Sequence, residues 1–360
     1  MFIDKGKLLF QLNQQYQKGG IQIVSLYAHP GMGKTRLLQE FSKEKQVLYF
    51  KASPVLYEKN FRLFKNLCAR RLDEQFQTTK KFSEIFRLLA KSSLSEPLVL
   101  ILDDVSCLIS QNKRFPTMLH ALEKKAASGA NLFILLCKPG HLYEKEQKKE
   151  AHTMLLPKFS FFEMQAFYPD RTLEEQLLIY RITGGNPSYM QAFTGKESMD
   201  HLLLHLFFGE DGLFYRRIPT LTRTYYSGSA VMGSILAALG CESRKLQEVC
   251  DSTDLTPSAA SSLLSSLSSH NLVNRIIPVT EDQGSRRTLY EISDGIFRFW
   301  YTFVYPYQSE IEAGMGENIF HRFVSPVLKD WLKASFEEVC RDFLALEKEM
   351  GTAPFDFEQI

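Results

Sequence analysis

The sequence predicts an α/β fold, in which a doubly wound parallel sheet with a helical lid precedes a winged helix-turn-helix domain and a mostly helical C-terminal segment. Two observations predict the first part: apolar runs alternate with stretches of helical spacing, and a glycine-bearing loop follows the first run. A third observation predicts the rest, because apolar residues recur at helical spacing from Ser160 onward. We expect domains at 1–157, 158–227, 228–293 and 294–360.

The loop from Ala28 to Thr35 carries the clearest chemical signal in the chain. Its sequence, Ala-His-Pro-Gly-Met-Gly-Lys-Thr, follows the apolar run 21–26 and leads into helical spacing. A strand, a loop ending in Gly-Lys-Thr and a helix, in that order, are typical of sites that bind nucleoside triphosphates. Backbone N–H groups at the helix N-terminus donate to phosphates, and glycines let the backbone approach them. The predicted nucleotide-binding residues of this stretch are Pro30, Gly31, Met32, Gly33, Lys34, Thr35 and Arg36.

Two side chains at the end of the loop have predicted chemical roles. We expect Lys34 to contact the β- and γ-phosphates as a catalytic residue, and the Thr35 hydroxyl to hold Mg²⁺. One departure from the motif precedes them, since Ala28 stands where the motif has its first glycine.

The apolar run 98–102 ends in two carboxylates, Asp103 and Asp104. Such a continuous run is typical of a parallel strand that is covered on both faces. Groups at the carboxyl end of a central strand lie beside the phosphate loop. We therefore expect Asp103 to hold Mg²⁺ and Asp104 to orient the attacking water as a catalytic residue. Alone, the pattern also fits an ordinary strand end, and its position after a phosphate loop favours the catalytic interpretation.

The remaining elements follow in order along the chain. Strands are predicted at 46–50, 131–137 and 154–156, and helices at 7–17, 61–73, 82–91 and 173–183. Ser160 and Glu163 form a capping box. The helix 173–183 ends at Gly184-Gly185, and Pro187 prevents its resumption.

Composition excludes several classes of protein. The formal net charge of +2 over 360 residues gives no strong overall attraction to nucleic acid. Six scattered cysteines without a Cys-x-x-Cys pair argue against a zinc site or a disulfide framework, and favour a reducing, cytoplasmic compartment. No signal peptide or apolar run of membrane-spanning length is visible, so no membrane partner is expected.

Residues 228–293 predict three helices and a hairpin, which suggests a winged helix-turn-helix. Ser243 is the predicted cap of the second helix, and Pro257 begins the third. The outward face of that third helix is composed of serines and has no Lys or Arg, so it is a poor DNA reader. The only local basic cluster lies in the wing: Arg275, Arg286 and Arg287. Protein contact and DNA contact both remain open for this unit.

The assembled motifs resemble the archaeal-type ATPase family of the STAND and AAA+ neighbourhood. The resemblance rests on Phe2-Ile3-Asp4, the phosphate loop, the Asp103-Asp104 strand end, and two longer motifs. The first motif is Tyr-Arg-Ile-Thr-Gly-Gly-Asn-Pro-Ser-Tyr at 180–189. The second motif spans residues 290–301 and ends in Phe-Arg-Phe-Trp-Tyr. The resemblance implies a P-loop ATPase core, a helical lid, a winged helix and a C-terminal domain related to restriction nucleases. It also implies that Pro187 and the Phe2–Asp4 segment lie near adenine.

This chain departs from the family pattern at several positions. Asp104 replaces the usual glutamate, and Cys137-Lys138-Pro139 stands where the family has a small polar sensor. The Gly-Arg pair expected soon afterwards is missing from 142–152. The acidic and lysine motif of the nuclease-like domain would lie beyond Ile360, so that domain is expected to be incomplete here. Loss of the sensor and arginine should weaken hydrolysis more than binding.

These observations predict an ATP-binding switch ATPase with slow, Mg²⁺-dependent hydrolysis that drives movement of the lid and winged helix. One alternative is a nucleotide-gated scaffold that does not hydrolyse its ATP or ADP. Another is a DNA-binding regulatory or defence ATPase that uses Arg275, Arg286 and Arg287. The oligomeric state, the protein partner and the source of any arginine finger are not specified by the sequence.

Overall fold

The structure, a computed structural model, describes residues 5–125, 129–226, 230–277, 287–353 and 355. The chain divides into two compact units, residues 1–157 and 158–360, and each is described by itself. Within the described residues, every helix is too short or too polar to cross a lipid bilayer. The finer predicted division into four domains stays a prediction.

The first unit is built on a five-stranded parallel sheet with strand order β2-β3-β4-β1-β5. Its strands are β1 (Ile21–Ala28), β2 (Gln46–Lys51), β3 (Leu98–Asp103), β4 (Leu132–Pro139) and β5 (Thr153–Leu156). Its helices are α1 (Gly6–Gln17), α2 (Lys34–Phe41), α3 (Tyr57–Arg71), α4 (Phe82–Ser92), α5 (Ser106–Gln111), α6 (Phe115–Lys125) and α7 (Tyr143–Glu146), with 3₁₀ turns at Glu74–Thr78 and Gly140–Leu142. The predicted doubly wound parallel sheet is confirmed.

Helices cover this sheet on both faces. Apolar side chains of α1 and α2 pack on one face, and those of α3, α4 and α6 pack on the other. Because β3 lies inside both layers, all six of its residues are buried. This explains why a continuous apolar run predicted the strand correctly. Side chains alternate between the faces along each strand, so β1, β3 and β4 each present every second residue to α2.

The second unit is mostly helical, as predicted. Its helices are α8 (Phe161–Gln165), α9 (Leu173–Thr183), α10 (Pro187–Met190), α11 (Met199–Phe207), α12 (Leu213–Tyr226), α13 (Ala230–Ala238), α14 (Leu246–Thr253), α15 (Pro257–Ser269), α16 (Gly295–Phe299), α17 (Gln308–Glu312), α18 (Gly316–Ile319) and α19 (Leu328–Met350). Capping boxes start both α8, at Ser160, and α9, at Thr172. The predicted bounds of the helix 173–183 are therefore matched by α9.

A three-stranded antiparallel sheet accompanies α13, α14 and α15, and the winged helix-turn-helix stays a prediction. Its strands are β6 (Arg244–Lys245), β7 (Val273–Ile276) and β8 (Leu289–Ile292). The predicted Ser243 cap is wrong, because β6 intervenes and the N-cap of α14 is Lys245. The Ser243 hydroxyl instead donates to Glu291 at 3.3 Å. Residues 278–286, which connect β7 and β8 in the predicted hairpin, lie outside the described residues.

Two π-helical turns, each followed by a proline, interrupt the C-terminal helices. They are Trp300–Val304, before Pro306, and Phe320–Val324, before Pro326. Both carry Phe-Val two residues before the proline, twenty residues apart. Proline lacks an N–H and clashes with the preceding helical turn, and a widened turn relieves that clash. After the second of these turns, the single helix α19 continues from Leu328 to Met350.

The two glycines that end α9 are held by different constraints. Gly184 and Gly185 both have left-handed backbones, with φ of +58° and +69°. A Cβ on Gly184 would have no neighbour closer than 3.9 Å, whereas one on Gly185 would lie 2.0 Å from the carbonyl oxygen of Phe159. Only Gly185 is therefore required by contact as well as by conformation.

We expect Gly185→Ala to lower the free energy of unfolding by about 3 kcal/mol, because left-handed strain and a backbone clash add. The matched control, Gly184→Ala, should lose only about 1 kcal/mol, since it bears the strain alone. Urea unfolding measured by far-UV circular dichroism compares the two. Equal losses would contradict the close packing of Gly185 on Phe159.

Candidate nucleotide site

The glycine-bearing loop adopts the backbone that phosphate binding requires. It joins the end of β1 to the start of α2, and Gly31 and Gly33 have φ of +81° and +84°. Gly33 is the N-cap of α2 and has no side chain to accept the first-turn N–H groups. Those groups are thus available to a ligand. Ala28 is the last residue of β1 and is not among the residues with positive φ, so the first position of the motif does not need glycine here.

A cavity of about 550 Å³ opens at this loop. It is lined by Ala28, His29, Pro30, Gly31, Met32, Gly33, Lys34, Thr35, Arg36, Gln39, Asp104, Lys138 and Pro139. The structure thus brings together all predicted loop residues and the carboxylate of Asp104. The loop also contributes His29, whose ring fills the space beside Gly140, where a Cβ would lie 2.5 Å from the ring. Burial, and to a lesser degree His141, lowers the pKa of His29.

Lys34 and Asp103 form an ion pair that links the loop to β3. The Asp103 side chain is 4% exposed, and its second oxygen accepts from the Tyr49 hydroxyl at 2.6 Å. Burial raises the pKa of Asp103, but the hydrogen bonds from Lys34 and Tyr49 outweigh it and leave the pKa lowered. Burial lowers the pKa of Lys34, and Asp103 reverses that effect. Both groups are therefore charged at neutral pH.

Asp104 differs from its neighbour in backbone and exposure. Its φ is +52°, in the left-handed region that aspartate tolerates better than most residues. Its side chain is 43% exposed, with carboxylate oxygens 3.6 Å from the Lys34 Nζ and 3.4 Å from the Lys51 Nζ. Strained backbones of this kind persist where the surroundings impose them. The turn aims a carboxylate into the cavity, toward cationic groups.

Cys137 occupies the sensor position on the face of the sheet that carries α2. It lies at the end of β4, which separates the loop strand β1 from β3. Its side chain packs with Val24, Leu26 and Leu37, and it is fully buried. Burial, and then the charge of Asp103, raises the pKa of the thiol, which therefore stays protonated. A thiol is only a weak hydrogen-bond donor.

Lys138 does not share this face, because side chains alternate along β4. Its Nζ is bound by Glu146 at 2.8 Å and by Glu150, and it lies 3.3 Å from the Tyr27 hydroxyl. The Lys138 side chain is only 3% exposed. This buried cluster fastens the segment after β4 to the ends of β1 and β4. The positive charge that the sequence places beside the sensor position is thus neutralised by two carboxylates.

The comparisons with known proteins agree with this geometry. A family model described as archaeal and bacterial proteins of unknown function, DUF234, matches residues 300–360. An uncharacterised protein of Methanocaldococcus jannaschii is 21% identical over 100% of this chain and 81% of that protein. A Walker-type ATPase of Pyrococcus abyssi superposes with a TM-score of 0.59, at 16% identity, over 83% of this chain and 96% of that one. The ORC2 protein of Aeropyrum pernix superposes with a TM-score of 0.51, at 16% identity, over 87% of this chain and 98% of that one.

The expected likeness to archaeal Walker-type ATPases is confirmed at the level of the fold. Its shared fold explains why the loop, β3 and β4 end at one edge of the sheet. The roles of individual site residues stay predictions, including that of Pro187, the first residue of α10 in the second unit. Phe2–Asp4 and Arg286 lie outside the described residues, whereas Arg275 and Arg287 are exposed.

Sequence reasoning missed two residues that hold the carboxylates. Tyr49 and Lys51 lie on β2, and β2 pairs with β3 so that Lys51 is opposite Asp103. Polar residues on alternate positions at the end of an otherwise apolar strand were the available signal. Without the strand order, however, the sequence does not show that β2 is the neighbour of β3.

We expect Lys138→Met to lower the free energy of unfolding by about 3–5 kcal/mol, because it leaves Glu146 and Glu150 without their buried partner. Lys43→Met is the matched control, since it breaks an exposed pair with Glu40 and should cost about 1 kcal/mol or less. Denaturant titrations at neutral pH measure both. A loss for Lys138→Met no larger than that of the control would show that the cluster contributes no net stability.

Comparison of the wild type with Lys138→Met at different pH values gives a second test of this cluster. Burial raises the pKa of Glu146, but the hydrogen bonds from Lys138 and Tyr27 outweigh it, and the pKa is lowered. Its stabilising contribution is thus present above the ordinary glutamate pKa of about 4.3 and is lost as the pH falls through the lower folded value. The stability difference between wild type and Lys138→Met should narrow upon acidification below pH 4.3. A constant difference would contradict the pairing.

Proposed function

We propose that the chain is an ATP-binding switch ATPase with slow, Mg²⁺-dependent hydrolysis. The observation that carries the proposal is the cavity at the glycine loop, into which Lys34 and Asp104 both project. Nucleotide binding is also supported by the likeness in fold to the ORC2 protein of Aeropyrum pernix, whose structure is of its ADPNP-ADP complexes. An N-terminus of α2 free of side-chain caps and a lysine at its first residue are the groups that triphosphates require.

The donor set at the cavity fits Mg²⁺. Thr35 is an exposed hydroxyl at the start of α2, and Asp103 and Asp104 supply carboxylate oxygens, the hard ligands that Mg²⁺ prefers. When bound, the ion would neutralise charge on the β- and γ-phosphates. Thr35 and Asp103 would hold it, the latter once the phosphates attract Lys34. Tyr49 keeps Asp103 oriented during that exchange.

The residues around the γ-phosphate position support slow turnover. Asp104 is shorter than glutamate and is shared between Lys34 and Lys51, so it is a weak orienter of water. Lys138 lines the cavity but is held by two glutamates, and Cys137, fully buried behind that lining, offers only a weak donor. Donors that act on the transition state accelerate hydrolysis without tightening binding. The site therefore suits a protein that holds ATP for long periods.

Movement of the lid and the winged helix is the remaining part of the proposal. The lid motif Gly184-Gly185-Asn186-Pro187 would meet the adenine as the resemblance implies, and closure over the nucleotide would then move the winged helix. A scaffold that never hydrolyses its nucleotide is the alternative that Cys137 favours. DNA contact through Arg275, Arg286 and Arg287 is less supported, because the exposed face of α15 carries serines. DNA-stimulated hydrolysis would argue for it.

We expect Lys34→Ala to abolish ATP binding in isothermal titration calorimetry, because the phosphates lose their main cation. Asp104→Asn should keep the wild-type dissociation constant within about threefold and lower turnover by a factor of about 10²–10⁴, as expected for loss of a carboxylate base. Lys51→Met is the control, since it removes a cation from the same carboxylate but no proton acceptor. Unchanged turnover in Asp104→Asn would assign the water to another residue, and unchanged binding in Lys34→Ala would end the proposal.

We expect Cys137→Ser to raise turnover by a factor of about 10, because a hydroxyl is a stronger donor than a thiol at the same position. The affinity for ATP should not change. Cys68→Ser is the matched control, as Cys68 is also fully buried but belongs to the core on the opposite face of the sheet. Phosphate release at saturating ATP measures both variants. An increase in both, or in neither, would remove Cys137 as the cause of slow hydrolysis.

A further inference from the structure

Two half-buried arginines of the second unit lie on helices that pack against each other. Arg181 is on α9 and Arg298 is on α16. Burial lowers the pKa of Arg181 to about 10, and the like charge of Arg298 is the next cause. Among the described residues, no carboxylate lies within ion-pair distance of either guanidinium. Like charges held together in a protein interior are unfavourable unless an anion accompanies them.

Backbone packing fixes this pair in place. Gly295 begins α16, and a Cβ there would lie 2.4 Å from the carbonyl oxygen of Arg181. The absence of a side chain thus lets α9 and α16 approach closely. The guanidinium of Arg181 lies over the ring of Trp331, 5.0 Å from its centroid. This contact holds Arg181 against α19.

Several donors around the pair have no acceptor in the described residues. The Nε atoms of Arg181 and Arg298 are buried and unpartnered, and so is the hydroxyl of Ser335, a residue with 0% exposure. Ser335 lies one helical turn after Trp331 on α19, on the face of that helix that meets Arg181. Buried donors in proteins nearly always have a partner. Three such donors, on the mutually packed helices α9, α16 and α19, indicate that an acceptor belongs there.

The nearby carboxylates are already committed elsewhere. Glu338 accepts from the Lys158 Nζ at 2.7 Å. Asp294 caps α16 by accepting from the N–H groups of Ile296 and Phe297, and Glu291 accepts from the Ser243 hydroxyl. These charges moderate the field of the arginines without reaching their Nε atoms.

We propose that Arg181, Arg298 and Ser335 form a binding site for a tetrahedral oxyanion of the phosphate class. The Nε and one terminal nitrogen of an arginine donate in parallel to two oxygens of such an ion, and a tetrahedral ion can serve two guanidinium groups and a hydroxyl at once. The ion is either free phosphate or the phosphoryl group of a larger ligand. The site is separate from the glycine loop and goes beyond the proposed ATPase activity.

The test is a thermal-unfolding titration with inorganic phosphate on the full chain carrying Lys34→Ala, which silences the glycine loop. Sodium chloride keeps the ionic strength constant. We expect a saturable rise in melting temperature, and a binding constant at least tenfold weaker after Arg181→Met or Arg298→Met. The matched control is Arg216→Met, which removes an exposed arginine paired with Asp211. A parallel titration with glycerol 3-phosphate distinguishes the two sources, because a site closed around free phosphate would reject it.

If either methionine variant fails to fold, Arg181→Lys and Arg298→Lys replace it, since they keep the charge and lose the Nε donor. They should weaken phosphate binding at least several-fold. The proposal would be overturned if phosphate did not shift the melting temperature, or if it shifted that temperature equally in every arginine variant. Ordered water would then be the acceptor for these donors.

Discussion

The ion pair between Lys34 and Asp103 is the interaction on which the rest of the nucleotide site depends. It joins the first residue of α2, the helix that follows β1, to the end of β3. In the sheet, β4 lies between β1 and β3. The pair fixes the position of the glycine loop relative to the carboxylates before any phosphate is present. Since Asp103 is buried and bound by Tyr49, it cannot follow Lys34 when a phosphate attracts that cation. In the proposed function, exchange of Lys34 between Asp103 and phosphate is thus the simplest local change that nucleotide binding would cause.

The parts of the fold that follow from local pattern are those the sequence reveals well. A six-residue buried strand such as β3 has a continuous apolar run, and α9 has a capping box at one end and two glycines at the other. Where a tertiary contact overrides the local pattern, the sequence is less informative. Ser243 has the chemistry of a helix cap, yet pairing of β6 with β8 places it against Glu291 instead.

The candidate site likewise contains residues that local sequence predicts and residues that only the strand order brings together. The loop residues are consecutive, so their meeting is local, and Asp104 follows from a strand end. Tyr49 and Lys51 reach the site only because β2 pairs with β3, and strand order is not encoded in any single segment. Cys137 and Lys138 illustrate a sharper limit. Adjacent residues of one strand point to opposite faces, so Cys137 packs in the core beside α2 whereas Lys138 joins the cluster with Glu146 and Glu150.

That alternation changes how the missing sensor should be understood. Lys138 lines the cavity at the glycine loop, but two carboxylates already hold its charge. It lies in a buried cluster with Glu146 and Glu150, and a thiol takes the position facing Lys34 and Asp103. Lys138 thus holds the segment after β4, which stabilises the fold around the cavity. In the proposed function, the stability of the fold around the nucleotide and the speed of the chemical step would then depend on adjacent residues on opposite faces of β4, so either could change without the other.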